Sequence, residues 1–141
     1  MLKKAALALS LAALFAFAGT AVAGKTTASS SIAGPFLVAA SPAGSPLTAS
    51  STSTPRFGDT ITFNVSTTAT SNPFVNLNCY QNGVLVMNSW SAFFPGGVNQ
   101  DFGLYSPSWQ SGAANCQADL GMLANNGKRK VLASTSFNVD A

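Results

Sequence analysis

The clearest structural signal in the sequence lies in residues 74–90, which read FVNLNCYQNGVLVMNSW. Val75, Leu77 and Cys79 alternate with other residues, and a period of two predicts a β-strand with one buried face. Asn82-Gly83 follows, and this pair is the strongest short signal for a two-residue hairpin turn because both residues tolerate positive φ. The apolar residues after the turn predict a returning strand. The stretch therefore predicts an antiparallel hairpin.

The same alternation recurs on both sides of this hairpin. Before it, Ile61, Phe63 and Val65 alternate with threonine and asparagine. After it, three further segments have strand character: Phe102–Tyr105, Ala114–Leu120 and Val131–Val139. Turn signals separate the segments at intervals of roughly 8–12 residues, and no helical apolar period of helix length is present beyond the N-terminal run. The sequence thus predicts an all-β chain of about seven short strands, arranged as an antiparallel sandwich or barrel.

The N-terminus carries the pattern of a secretory signal. Lys3 and Lys4 precede an apolar run over residues 5–18, and Ala21-Val22-Ala23 supplies small residues for cleavage after Ala23. The run is shorter than the roughly 20 residues that span a bilayer. We therefore predict a signal peptide at residues 1–23 and a secreted, periplasmic or extracellular chain without a stable membrane anchor. The basic start and alanine-rich run are typical of a bacterial protein.

The next segment is rich in Ser, Thr, Ala, Pro and Gly, a composition that supports little core. We predict a flexible extension over residues 24–46, with Gly24–Ser31 mobile. Its prolines suit edges and boundaries, because proline cannot donate a hydrogen bond to a sheet. Two short apolar pieces, Phe36–Ala39 and Leu47–Ala49, are candidate edge strands. The sandwich itself is predicted over residues 47–141.

Charge argues against a nucleic-acid partner. After removal of the signal, five basic side chains against four aspartates leave a net charge of +1. Nucleic-acid binding requires a broad basic face, since affinity comes from neutralised phosphates. The one basic cluster, Lys128-Arg129-Lys130, falls in a predicted turn and is interpreted as a solvated hairpin tip.

The residues needed for catalysis are missing. The chain contains no His and no Glu, which removes histidine-assisted nucleophiles. The four aspartates, Asp59, Asp101, Asp119 and Asp140, lie on separate segments, and Asp119 falls on the outward phase of its strand. Neither a phosphate-binding loop nor a calcium loop is present. We therefore expect no enzyme activity, no catalytic residues, no cofactor and no metal site.

The two cysteines predict one disulfide. Cys79 and Cys116 each lie on the apolar phase of their strands, so both point into the core, where they can meet. Their separation of 37 residues excludes a CxxC redox site, and two cysteines without histidine cannot complete a metal site. In an oxidising compartment such a pair forms a disulfide.

Three segments resemble strands of immunoglobulin-like domains. Gly58–Val65 resembles the second strand, Asn115–Ala118 the penultimate strand and Ala133–Val139 the closing strand. The likeness is to the short immunoglobulin-like domains of exported bacterial proteins. The antibody pattern is not met, because the second strand lacks a cysteine and Ala114 replaces the usual tyrosine. The resemblance implies an immunoglobulin-like sandwich in which the disulfide joins neighbouring strands of one sheet, and such domains carry many unrelated functions.

Aromatic residues are the candidate binding groups in the loops. Trp90, Phe93 and Phe94 precede a Pro-Gly-Gly loop, and Tyr105 and Trp109 flank a Ser-Pro-Ser turn. Loop aromatics can stack on sugar rings or anchor a partner protein. The alternative is that they cap the ends of the core, since large aromatics are on average well buried.

A second candidate surface lies on one strand. Phe74, Asn76, Asn78 and Tyr80 share the outward phase of their strand and could form a flat contact face. The predicted function is therefore a secreted, non-enzymatic module that binds an unknown protein or glycan. The alternative is a structural, fimbria-like subunit of a surface assembly whose N-terminal extension donates a strand to a neighbour.

Overall fold

The computed structural model describes residues 27–38, 49–50, 53–94 and 100–141, so the predicted signal peptide lies outside the described residues. These residues form eight strands: β1 (Ser30–Val38), β2 (Ala49–Ser50), β3 (Thr60–Thr67), β4 (Phe74–Gln81), β5 (Val84–Ala92), β6 (Asp101–Gly103), β7 (Ala114–Leu123) and β8 (Arg129–Val139). The prediction of an all-β chain is confirmed. The strand count differs from the expected seven by the two-residue β2.

The strands form two antiparallel sheets that share one core. The first sheet has the order β2-β1-β3-β6 and the second has the order β5-β4-β7-β8. The core is a single cluster to which both sheets contribute side chains. Aromatic rings link the sheets, with the Phe63 centroid 5.9 Å from Phe102 in the first sheet and 6.0 Å from Phe137 in the second. The arrangement is that of a β-sandwich.

The β4–β5 hairpin closes as its sequence predicts. Asn82 and Gly83 adopt φ values of 49° and 80°. Positive φ at both central residues is the requirement of the type I′ turn, whose twist matches that of the flanking strands. This turn sets the register of β4 and β5 beside the hairpin, and a shift of one residue between Cys79 and Tyr80 sets the register of the remaining pairs.

The sandwich begins earlier than the composition indicated. Ser30 and Ser31, which were predicted to be mobile, start β1, and Ile32 pairs with Val65 of β3. The backbone N–H of Ser29 donates to Thr68 Oγ1 at 3.0 Å. Because hydrogen bonds to a neighbouring strand do not depend on side-chain polarity, a serine-rich segment forms a strand when a partner is present.

The predicted edge strands also change place. Phe36–Val38 belongs to β1, which lies between β2 and β3 and is therefore an interior strand of the first sheet. Of the second candidate, Ala49 lies in β2, whereas Leu47 and Thr48 lie outside the described residues. The sandwich thus includes residues from Ser30 onward rather than from Leu47.

The predicted disulfide is present. Cys79 of β4 lies directly opposite Cys116 of β7, with a Cα–Cα distance of 4.1 Å, and both side chains are buried. It joins neighbouring strands of the second sheet. In the chain-entropy model a closed loop of this length stabilises the fold by about 4 kcal/mol. The disulfide also fixes the adjacent pair, Tyr80 and Asn115, which lie side by side in the next register position.

Candidate functional site

The surface with the most distinctive chemistry is the outer face of the second sheet. Successive side chains of a strand point to opposite faces, so residues at alternate positions of β5, β4, β7 and β8 collect there. Amides and hydroxyls dominate this set, and we call it the amide face. Its members are Phe74, Asn76, Asn78, Tyr80, Asn88, Trp90, Ala92, Asn115, Gln117, Asp119, Ser134, Ser136 and Asn138.

A carboxylate lies at the centre of the amide face. Asp119 is on the predicted outward phase but is only 5 % exposed. Its Oδ1 accepts hydrogen bonds from Gln117 Nε2 at 2.8 Å and Ser134 Oγ at 2.7 Å. Its Oδ2 lies 3.5 Å from Nη2 of Arg129, which reaches across from the start of β8. A buried charge requires such partners, and here they lie on two strands, so this carboxylate links β7 to β8.

Asn76 neighbours this carboxylate on β4. It lies between Trp90 and Asp119 in register and is 8 % exposed. Its Nδ2 is buried and has no hydrogen-bond partner among the described residues. An unsatisfied buried donor costs roughly 1–3 kcal/mol. The sequence placed this residue in an exposed row, and the structure instead buries it between larger neighbours.

The accessible part of the amide face is a shallow depression beside the disulfide. Tyr80, Asn115, Gln117, Ser136 and Asn138 line it, and its volume is about 350 Å³. A second depression, of about 380 Å³, adjoins it and shares three of these residues. Tyr80 is 38 % exposed, so its ring is available to a ligand.

Several polar groups of the depression are unengaged. In the described part of the chain, the side chains of Asn115, Ser136 and Asn138 make no hydrogen bond, whereas Gln117 is held by Asp119. Each primary amide offers two donors and one acceptor oxygen, and a hydroxyl offers both functions. The depression therefore presents donors and acceptors together, next to an aromatic ring and without a free charge.

Two of the predicted binding aromatics belong to the core. Trp109 is fully buried, packs edge-on against Phe57 at 5.4 Å, and donates from Nε1 to the Gly112 carbonyl at 3.0 Å. Phe93 is buried and stacks on Phe102 at 6.2 Å. Both are thus placed as core residues, which was the alternative interpretation of the loop aromatics. Burial removes their rings from contact with a ligand.

The other candidates lie at or near the surface. Phe74 and Phe94 are half-buried. Trp90 is 68 % exposed on the amide face, and Tyr105 is 64 % exposed on a loop after β6. Phe74, Tyr80 and Trp90 therefore share one surface, and Tyr105 does not belong to it.

The residues that sequence reasoning missed are those of β7 and β8. Asn115, Gln117, Ser136 and Asn138 alternate with more deeply buried residues, and no role was predicted for them. The available signal was their chemical type. Asparagine is generally depleted in strands, whereas here asparagine occupies outward positions of three neighbouring strands, β4, β7 and β8.

Other kinds of site are not formed by the described residues. Residues 27–38, 49–50, 53–94 and 100–141 contain no group of three His, Cys, Asp or Glu side chains close enough to hold a metal ion. Over the same ranges, the structure has no helix with the length and apolarity to cross a bilayer. Asp59 is occupied locally, since its Oδ2 accepts from the Arg56 backbone N–H at 2.7 Å.

No protein-family model, curated protein or solved structure matches this chain. Its function is therefore inferred from the chemistry of the amide face.

Proposed function

We propose that the chain is an exported, non-enzymatic immunoglobulin-like module that binds a glycan on its amide face. The observation that carries the proposal is the depression in which the exposed ring of Tyr80 lies beside the unengaged side chains of Asn115, Ser136 and Asn138.

Sugar chemistry complements this surface. A pyranose ring carries hydroxyls that both donate and accept hydrogen bonds, and an amide side chain can pair with either, because its NH2 donates and its oxygen accepts. Its apolar C–H face stacks on an aromatic ring such as that of Tyr80. A protein partner, in contrast, is usually anchored by a large apolar centre with aromatic or arginine hot spots. The depression has one aromatic ring within a polar surround, which favours a glycan.

The electrostatics of the face favour a neutral glycan. Asp119 and Arg129 face each other on this surface, and the carboxylate of Asp140 lines the adjoining depression. Among the described residues that line the two depressions there is no cation for a sulfated or uronic-acid polymer. The ligand is therefore expected to be an uncharged oligosaccharide, with binding that depends little on ionic strength.

The strand order supports the immunoglobulin-like part of the proposal. In that fold the first, second and fifth strands share one sheet, and the third, sixth and seventh share the other. Here β1, β3 and β6 are neighbours, β4, β7 and β8 are neighbours, and β5 extends the second sheet as an added strand does in variable-type domains. The disulfide within one sheet is a departure from the antibody arrangement.

Export is supported by the N-terminal pattern and by the disulfide. A basic start, a short apolar run and small residues before Gly24 match a cleaved signal. A buried disulfide between neighbouring strands is typical of proteins that fold in an oxidising compartment.

The alternative role, an assembly subunit that donates its N-terminal extension, would require a strand ahead of β1. β1 itself already pairs with β3 over most of its length. No contact of the described residues favours donation, and glycan binding remains the proposal that the surface chemistry supports.

Affinity electrophoresis in gels that contain neutral or acidic polysaccharides tests the proposal. We expect a neutral polysaccharide to retard the mature protein, and Tyr80→Ala to weaken binding about tenfold, the value of one lost aromatic contact. Asn138→Ala is expected to weaken it less. Tyr105→Ala is the matched control, because that ring is also exposed but lies off the amide face.

Two results would overturn the proposal. One is the absence of retardation by every polysaccharide in a panel that spans neutral plant, fungal and bacterial polymers. The other is equal loss of retardation in Tyr80→Ala and Tyr105→Ala, which would place the ligand elsewhere or make the effect nonspecific.

A further inference from the structure

The four edges of the two sheets are protected to different degrees. β2 and β6, at the edges of the first sheet, have two and three residues. β8 begins with Arg129-Lys130, and just beyond its end Asp140 N donates to the Pro55 carbonyl at 2.9 Å. Short length, charge and a covering segment are the usual protections of an edge. β5 has nine residues, VLVMNSWSA, with no charge and no proline.

The backbone phase of β5 shows which groups face its open side. The Cα atoms of Cys79 and Cys116 are 4.1 Å apart, which is the spacing of an antiparallel pair whose backbone groups do not hydrogen-bond to each other. The backbone N–H and C=O groups of Cys79 therefore form hydrogen bonds with β5. Met87 is the partner of Cys79 in β5, so its backbone groups point towards β4. Those of Phe93 do the same, since its N–H donates to the Pro73 carbonyl at 2.9 Å. Between Met87 and Phe93, every second residue starting from Asn88 points its backbone groups away from β4.

Asn88, Trp90 and Ala92 thus present their N–H and C=O groups at the open edge of the second sheet. Nearer the hairpin turn, the edge is partly covered, because Ser106 Oγ donates a hydrogen bond to the Val86 carbonyl. Within the described residues no strand lies beyond β5. Among the described residues, the half of the edge that no other element covers is therefore the half that contains Trp90.

The side chains of β5 are uncharged, and exposed apolar residues occur at both ends of the strand. Trp90 is 68 % exposed, and Val84 and Leu85 at the other end of β5 are also exposed. No charged residue of β5 would repel an identical strand. The edge is therefore complementary to itself in both its backbone groups and its side chains.

We infer that β5 pairs antiparallel with β5 of a second copy of this chain, about a two-fold axis at Trp90. Each contact of such an interface occurs twice, because the same patch is used by both copies. With the axis at Trp90, the two Trp90 side chains become cross-strand neighbours, and Asn88 of each copy lies opposite Ala92 of the other. Aromatic cross-strand pairs stabilise sheets beyond the backbone hydrogen bonds.

The pairing would join two amide faces in one eight-stranded sheet. Tyr80 and the depression lie on the β7 side of β4, away from the seam, so they stay open in the dimer. The inference does not depend on the proposed glycan binding, since it rests on the edge rather than on the depression.

Sedimentation velocity over about a hundredfold range of concentration tests the inference. We expect a reversible monomer–dimer equilibrium. Fluorescence gives an independent signal, since the chain has two tryptophans and Trp109 is fully buried in the monomer. Dimerisation is expected to shift the emission of Trp90 to shorter wavelength and to protect it from quenching by iodide.

Two variants separate edge pairing from loss of fold. Asn88→Pro removes an N–H that points to the open edge and leaves the bonds to β4 in place, so it should give a folded monomer. Trp90→Lys adds charge at the seam and should weaken the dimer at least about tenfold. Asn88→Ala controls for loss of the bond to the Asn78 side chain and should still dimerise.

Leu123→Lys is the matched control for Trp90→Lys. Leu123 is 65 % exposed on the same sheet but lies at the β7–β8 hairpin, away from the seam. The Leu123→Lys variant should dimerise with the same dissociation constant as the unmodified chain. A protein that stays monomeric at every concentration, or a dimer that survives both Asn88→Pro and Trp90→Lys with an unchanged dissociation constant, would overturn the inference.

Discussion

The two faces of the second sheet are built from the same strands but obey different rules. On the inner face, Val75, Leu77 and Leu120 are fully buried, and their identities follow from the need to exclude water. On the outer face, amides and hydroxyls cover strands of the same length and twist. Apolar alternation therefore locates the core, whereas the polar residues between the apolar ones form the surface on which the proposed function rests.

The largest change in stability is expected when the disulfide between β4 and β7 is removed. Replacing both Cys79 and Cys116 with Ala should lower the free energy of unfolding by about 4 kcal/mol, because the unfolded chain loses its closed loop. Urea unfolding followed by circular dichroism measures the change. Reduction of the unmodified protein should produce a comparable loss, and an unchanged midpoint in either experiment would contradict the structural role of the disulfide.

The next test compares neighbouring residues on opposite faces of β4. Leu77→Ala should cost about 3 kcal/mol, since it removes a fully buried side chain and leaves a cavity. Asn78→Ala, one residue away on the amide face, should cost less than about 1 kcal/mol. Thermal unfolding of the two variants measures the contrast. Equal losses would mean that the outer face contributes as much to stability as the core does.

A smaller loss of stability is expected when Asp119, the buried carboxylate of the amide face, is replaced. Asp119→Ala should lower stability by about 2 kcal/mol, because Ser134, Gln117 and Arg129 lose a shared acceptor. Asp101→Ala, at an exposed position, should change stability by less than about 0.5 kcal/mol. If urea midpoints show no difference between these variants, the hydrogen bonds around Asp119 do not stabilise the sheet.

The smallest effect has the opposite sign. Asn76→Leu replaces a buried amide, whose nitrogen has no partner among the described residues, with an apolar side chain of similar size. Stability should rise by about 1 kcal/mol because an unsatisfied donor is removed. Differential scanning calorimetry measures the shift. A loss of more than about 1 kcal/mol would show that the amide is satisfied in solution, for example by an ordered water.

The sequence alone was informative where a physical requirement is strict. The period of two placed Ile61, Phe63 and Leu120 in the core, the Asn82-Gly83 pair placed the hairpin turn, and the phase of the cysteines placed the disulfide. Each follows from steric or hydrophobic constraints that act within a few residues. These constraints were sufficient for the fold class.

The sequence was less informative where tertiary neighbours decide. Ser30 and Ser31 form a strand because β3 offers hydrogen-bond partners, which composition does not reveal. Trp109 and Trp90 have equivalent sequence contexts near a turn, yet one is fully buried and the other is exposed. The depression was not predicted because it combines alternate residues of three strands, and their register becomes known only from the structure.

The disulfide has a mechanical consequence. Cys79 and Cys116 close a covalent loop that contains all of β5 and β6, so a force applied to the two chain ends cannot extend the residues between them. At about 3.4 Å per residue, the disulfide shortens the fully stretched chain by about 125 Å. When β1 and β8 are pulled away, the β4–β5 hairpin and its crosslink to β7 stay covalently joined. A module held at both ends under flow or tension would thus lengthen by a limited amount and keep Tyr80 beside Asn115.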